Sequence, residues 1–302
     1  MEKLINAKVD TGRLGLMWLG GGGFVLKPHS GDVIAVDPDF SSNTNNSNGT
    51  RSNGAHGKSH GLVADYLFLT HDHPETTDID SVSQILQRNS DLRVICPPSC
   101  CPLLARIGVP NRQIDSITAG QHLEFPHFSA HAVPALHTED SVGYVFEFDE
   151  QEASPAEVSL YFAGHTVFDQ SLASSVADFG PDVLILPISG QHGNMDAEDA
   201  ARLTAIIAPE EVIPVYDHND ETVDTFDTFS SHVATMAAAS DNITPVDLRV
   251  NACHIFCPQS VVAGRHGKKQ ARAERARTAR RSHQHNDGLR GANHGSGGRV
   301  AR

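Results

Sequence analysis

The chain has 302 residues, of which 39% are hydrophobic and 20% charged, so it can bury a sizeable core as one large domain or two ordinary ones. Its formal net charge is −14, from 23 basic and 37 acidic groups, which makes most of its surface repel phosphates and excludes a general nucleic-acid binder. No stretch approaches the ~20 apolar residues that span a bilayer, no apolar signal core opens the sequence, and five irregularly spaced cysteines make no disulfide framework, so a reducing cytoplasm is the expected compartment.

Residues 14–26 (LGLMWLGGGGFVL) read as two short apolar strands around a glycine turn. The four glycines from Gly20 to Gly23 have no helix after them, so they belong to that turn and not to a nucleotide cradle. Val33–Val36 is a buried strand that stops at Asp37-Pro38. Residues 41–61 are rich in Ser, Asn and Gly without apolar period, and are expected to form a flexible surface insertion. Residues 62–69 (LVADYLFL) form a strand that runs into Thr70-His71-Asp72-His73, and residues 78–89 carry Ile79, Val82, Ile85 and Leu86 at helical spacing. Further strands are expected at Val94–Cys96, Ile114–Ile117, His122–Phe125, Ala130–Leu136, Val142–Phe148, Val158–Ala163, Val183–Pro187 and Val212–Val215, with helices at Cys100–Ile107 and Ala197–Ile207. Short strands with interleaved helices indicate an α/β layered fold.

The charge divides unevenly. Residues 1–263 hold 12 basic and 35 acidic groups, whereas residues 264–302 hold 11 and 2. Such an acidic, lysine-poor body suits a salt-rich cytoplasm or an ordinary acidic cytosolic enzyme. We expect a domain over 1–250 and a basic, disordered tail over 251–302, with little apolar matter to order it. Cys253-His254-Ile255-Phe256-Cys257 lacks a second ligand pair at zinc-finger spacing.

The 18 histidines need a reason. His71 and His73 lie two apart after an apolar strand, and in extended backbone such residues point the same way, so both rings can converge on one ion. His137 follows the strand string AVPAL, and His165 follows SLYFAG. Polar residues after buried strands gather on one rim of a sheet, where sites form in α/β folds. No Gly-x-Ser-x-Gly nucleophile motif or phosphate loop occurs.

The strings MWLGGGGFVLK, VIAVDP, THDHPET, VPALH, GYVFEF, YFAGHT, DVLILPISG, GNMDAEDA and VIPV, in this order, resemble the metallo-β-lactamase superfamily over residues 14–230, and within it the L-ascorbate-6-phosphate lactonase-like branch of metal-dependent hydrolases. The resemblance implies a four-layer αββα sandwich with a metal at one sheet edge. It also implies hydrolysis of a lactone, phosphoester or similar substrate by a metal-bound hydroxide, and the partner we expect is a small anionic molecule.

The sequence departs from that family's ligand pattern. The signature His-x-His-x-Asp-His reads here His71-Asp72-His73-Pro74-Glu75-Thr76, the Gly-Asp-Thr that supplies a bridging carboxylate reads Gly164-His165-Thr166, and the last Ile-Pro-x-His reads Ile213-Pro214-Val215-Tyr216, followed by Asp217 and His218. The residues matching the first metal survive as His71, His73 and His137. Those of the second are altered, and an imidazole does not bridge two cations as a carboxylate does. We therefore expect one ion, zinc or another divalent metal such as manganese. His165 either closes the tetrahedron, as in a structural site, or stands outside and leaves a water position.

Glu75 is the nearest candidate base. Asp37 and Asp72 are candidates to anchor ligands through hydrogen bonds, Asp217 and His218 to replace the lost terminal histidine, and Asn194 to touch substrate or hold its loop. Two other readings compete: a non-catalytic relative with at most one structural metal, acting as a binding or assembly module, and a nucleic-acid-processing member using the basic tail. The acidic body disfavours the second. A homo-oligomer is compatible with all of them, and no membrane partner is expected.

Removing residues 264–302 is expected to leave Tm unchanged, as thermal denaturation of the truncated and full chains will show; a drop of several degrees would mean that the tail docks on the acidic body.

Overall fold

In the computed structural model, alternation along β1 (Leu14–Gly20) sets the layers. Leu14, Leu16 and Trp18 enter one hydrophobic cluster while Met17 and Leu19 enter another, as the two-residue period of a strand requires. The same division recurs in β4 (Tyr66–Phe68), where Phe68 joins the first cluster and Leu67 the second. In β11 (Val183–Pro187), Ile185 joins the first, but Leu184 and Leu186 join a third. Strands buried on both faces must be covered on both faces. The structure describes residues 2–40, 61–73, 78–148, 158–216, 223–237 and 242–258.

Two seven-stranded sheets pack face to face around the first cluster. One is ordered β14 (Cys253–Phe256), β1, β2 (Gly23–Pro28), β3 (Ile34–Val36), β4, β5 (Arg93–Cys96), β6 (Ile114–Ser116). The other is ordered β13 (Thr244–Pro245), β12 (Glu211–Val215), β11, β10 (Val158–Phe162), β9 (Val142–Phe148), β8 (Phe128–Pro134), β7 (His122–Glu124). Helices α2 (Ile79–Leu86) and α3 (Cys101–Arg106) supply the outer cover of the first sheet, and α4 (Gln170–Ala177), α5 (Ala197–Ile207) and α6 (Phe226–Met236) that of the second. A four-residue helix, α1 (Glu2–Ile5), precedes them. This is the expected αββα sandwich.

In each sheet an antiparallel half adjoins a parallel half. Strands β3 to β6 run parallel, as do β10 to β13. Parallel neighbours require crossovers, and α2, α3, α4, α5 and α6 provide five of the six. The carboxyl ends of both parallel halves meet at one edge of the sandwich. There the Val142 amide donates to the Thr70 carbonyl (3.0 Å) and the buried Tyr144 hydroxyl donates to the Leu69 carbonyl (2.7 Å), joining the sheets. Behind this seam the Phe68 ring stands edge-on to Tyr144 and Phe146, at 5.1 and 4.9 Å between centroids.

The strand expected over 62–69 is confined to Tyr66–Phe68, because the Asp65 carboxylate takes the Val33 amide (2.9 Å) and turns the chain before the ladder begins. Strand β8 ends at Pro134, so His137 sits in the following bend and not at the strand end. Helices α4 and α6 were not anticipated from sequence. Their Ser- and Thr-rich turns have weak intrinsic preference, and packing of Leu172, Ala173, Val176, Phe229 and Val233 sustains them. The domain also runs past the expected boundary at 250, since β14 pairs with β1 and buries Phe256 in the core. The expected insertion, apart from residue 61, and the basic tail beyond residue 258 lie outside the described residues.

Gly143 on β9 has no room for a side chain: a Cβ would stand 2.9 Å from Tyr161 Cε2 and 3.0 Å from the Phe162 carbonyl oxygen. Gly143→Ala is expected to cost about 1–3 kcal/mol by overpacking, measured by urea denaturation.

Candidate metal centre

Strand β3 ends in a turn that buries a carboxylate. Asp37 takes a left-handed backbone conformation (φ 43°) and is 1% exposed, a conformation Asp tolerates better than most residues. Its amide donates to the Phe68 carbonyl (3.0 Å), which fixes it beside the end of β4. One carboxylate oxygen accepts the Thr70 amide (2.8 Å) and the other the Thr70 hydroxyl (2.6 Å). The same hydroxyl lies 2.8 Å from His71 Nδ1. A threonine hydroxyl has one proton. When it donates to an ionised Asp37, it must accept from His71, so Nδ1 carries the ring proton and Nε2 keeps its lone pair.

Four imidazoles gather beyond this chain. Ligand nitrogens of His71, His137 and His165 all lie within 4.8 Å of one another. The His71 ring centroid is 4.8 Å from that of His137 and 4.9 Å from that of His165. His73 adjoins them through His137, with 3.0 Å between His73 Nδ1 and His137 Nε2, and its ring centroid is 5.2 Å from that of His71.

Close backbone approach allows the gathering. Gly164, at φ 62°, lies so near Thr70 that a Cβ would be 2.9 Å from its side chain. Gly193 lies against His137, where a Cβ would be 3.0 Å from Nδ1. The buried Thr166 hydroxyl accepts the Leu136 amide (2.9 Å) and the Thr166 carbonyl accepts the Met195 amide (2.9 Å), so the loops carrying His137, His165 and Asn194 are tied together.

Electrostatics fix the protonation states. Burial, aided by the neighbouring rings of His165, His137 and His73, lowers the His71 pKa from 6.5 to about 2. His71 is thus neutral at any ordinary pH, the form that ligates metals. Burial raises the Asp37 carboxyl from 3.8 to about 7, against the opposing effect of its hydrogen bonds from Thr70. A set of imidazoles that includes the neutral His71 fits one borderline-soft divalent ion. Among the described residues this is the one grouping of three or more metal-ligating side chains.

Of the four histidines singled out in the sequence, His71, His137 and His165 form the group and His73 adjoins it through His137, so the expected triad of His71, His73 and His137 is not the one the structure gathers. Asp37 reaches His71 through Thr70, and Asp72 is half-buried between the two ligand positions. Asn194 sits in the loop beside His137, its side-chain oxygen buried without a hydrogen-bond partner. Tyr216, in the place of the family's last histidine, is outside the cluster, with its hydroxyl 3.4 Å from an Asp247 carboxylate oxygen. Glu75, Thr76, Asp217 and His218 lie outside the described residues. Sequence reasoning missed Thr70 as the link between Asp37 and His71. Its position directly before the first histidine was the available signal.

The chain belongs to the beta-lactamase superfamily, whose domain model matches residues 15–216. It is similar to the UPF0173 metal-dependent hydrolase of Myxococcus xanthus, at 26% identity over 70% of this chain and 72% of that protein. Its likeness to the UPF0173 metal-dependent hydrolase of Koribacter versatilis is also 26% identity, over 69% of this chain and 86% of that one. In fold it resembles Igni18, a metallo hydrolase from Ignicoccus hospitalis, with a TM-score of 0.64 and 19% identity over 82% of this chain and all of that one. It also resembles CmlA, a diiron beta-hydroxylase from Streptomyces venezuelae, with a TM-score of 0.60 and 15% identity over 80% of this chain and 54% of that one.

The His71 shift has a definite sign. Between about 2 and 6.5 the unfolded chain holds a proton that folded His71 refuses, so its contribution to stability is full above pH 6.5 and is lost as pH falls. Asp37 acts oppositely between 3.8 and about 7, so a variant is needed to separate them. On going from pH 7 to 5, chelator-treated wild-type protein is expected to lose about 2 kcal/mol more than His71→Asn. Urea denaturation of both at the two pH values checks this, and coincident profiles would contradict it.

Proposed function

We propose that this protein is a metal-dependent hydrolase that holds one divalent ion, zinc in the first instance, on His71, His137 and His165 with His73 adjoining. The observation that carries this reading is the convergence of the His71, His137 and His165 ligand nitrogens within 4.8 Å of one another, with His71 buried and held neutral. The names of its curated relatives support the same reaction class.

The substrate would be a small ester, lactone or phosphoester. When bound, the ion would polarise the substrate oxygen and lower the pKa of water. The chain's own residues do the rest. Asp37 and Thr70 hold the His71 proton on Nδ1 and aim Nε2 at the cluster. The buried Asn194 oxygen is available to accept a hydrogen bond from a substrate N–H or O–H group. Glu75, two residues after His73 in sequence, is the proposed general base.

One observation favours a second reading. Because His73 Nδ1 lies 3.0 Å from His137 Nε2, a fourth imidazole stands beside the group of three, and four protein ligands would leave no place for water. That site would be structural, and the protein a non-catalytic relative acting as a binding or assembly module.

Elemental analysis after dialysis is expected to give one zinc per chain, and esterase or lactonase turnover is expected to fall at least tenfold in both Glu75→Gln and Asn194→Ala with the metal retained. One ion without turnover selects the structural reading. Two tightly held ions per chain would sink the one-metal site and require ligands beyond the four histidines.

A further inference from the structure

We propose that the ligand taken at this site is uncharged, an ester or lactone whose apolar acyl group rests on Leu136 and Val167; the proposal builds on the hydrolase reading above and narrows its substrate class.

Two exposed apolar side chains flank the ligands. Leu136, 44% exposed, directly precedes His137, and Val167, 38% exposed, lies two residues after His165. They are fixed to each other, because the Val167 amide donates to the Leu136 carbonyl (3.3 Å). Buried Thr166 fixes both from below by accepting the Leu136 amide. Large apolar residues held in water beside a polar centre are the usual lining of a small-molecule site.

The charge pattern of the segments that carry the histidines argues against an anionic ligand. Between Arg112 and Arg249 the sequence has a single Lys or Arg, Arg202, and that interval holds His137, His165 and the loops around them. Residues 59–87, around His71 and His73, have none. Arg202 is engaged elsewhere, its guanidinium lying over the Phe168 ring at 5.2 Å and 3.3 Å from both Glu198 and Asp199. Sites for phosphate or carboxylate are ordinarily made from Arg, Lys or open helix N-termini. The helices that follow the ligand loops have their N-termini closed by carboxylates: Asp169 accepts the Ser171 and Leu172 amides, and Asp196 accepts the Asp199 amide. The anionic substrate expected from sequence therefore gives way to a neutral one.

The test uses the zinc-loaded full chain and three hydroxamates titrated by calorimetry. Acetohydroxamate reports the metal alone, hexanohydroxamate adds an apolar chain, and adipic monohydroxamate has the same carbon count but ends in a carboxylate. Hexanohydroxamate is expected to bind at least tenfold tighter than either of the others. In the Leu136→Ser, Val167→Ser double variant that advantage should vanish while acetohydroxamate still titrates, which reports an intact centre. Equal affinities, preference for the carboxylate, an unchanged advantage in the variant, or no binding at all would overturn the proposal. A parallel assay separates it from the hydrolase reading. Preferential cleavage of p-nitrophenyl phosphate over p-nitrophenyl hexanoate overturns the neutral ligand and keeps the hydrolase. Cleavage of neither, with hexanohydroxamate still preferred, supports the neutral ligand and removes the hydrolase.

Discussion

The hydroxyl proton of Thr70 is the constraint on which the site depends. With Asp37 ionised, that proton points to the carboxylate, and His71 must donate from Nδ1 and present Nε2. If Asp37 takes up a proton, the chain can run the other way. Thr70 then donates to His71, the ring proton moves to Nε2, and the lone pair is withdrawn from the cluster. One buried carboxyl thus sets the tautomer of one buried imidazole through a single oxygen. The arrangement also concerns charge. Neutral imidazoles give a dication no compensation, and Asp37 offers a negative charge one hydroxyl away. A cation at the cluster would in turn favour its ionised form, lowering a carboxyl that burial, against its hydrogen bonds from Thr70, raises to about 7.

The sandwich exists at this edge in a form that makes the chain of contacts rigid. Thr70 is bonded at every polar atom: its amide and hydroxyl to Asp37, its carbonyl to the Val142 amide across the seam between sheets. Gly164 packs on its side chain from the second sheet, at a separation no Cβ could share. The candidate ligands His71 and His165 are therefore positioned by strands from different sheets that meet on one residue. Gly164 and Gly193 act alike in this respect, since each removes a side chain where a ligand loop must come closest.

Much of this was legible in the sequence. Alternating and continuous apolar runs marked the strands and a layered α/β class, histidines recurring just after such runs marked the rim, and the four-layer sandwich followed from the family resemblance. The hydroxyl relay was not. It depends on the left-handed turn at Asp37, and an Asp-Pro pair signals a strand end without specifying that φ. The exposure of Leu136 and Val167 was hidden for a related reason. As letters they extend apolar strings, and only the bend after β8 and the bond from Thr166 turn them outward. Strand β14 was missed because CHIF is short and stands next to a polar stretch. What makes it a strand is the free side of β1, a partner far away in sequence.

That distance has a consequence for how the protein is made. Leu14 pairs with Phe256 and Met17 with Cys253, so the strand that carries Trp18 is flanked on one side by the last strand of the sheet. At a synthesis rate of ~5–20 residues per second, the stretch between them takes on the order of ten to fifty seconds to emerge. For that interval β1 has β2 on one side and open amides and carbonyls on the other, the kind of edge that recruits foreign strands. Nascent chains of this protein therefore carry an aggregation hazard at a strand that is wholly buried in the finished molecule, and that hazard ends when CHIF docks.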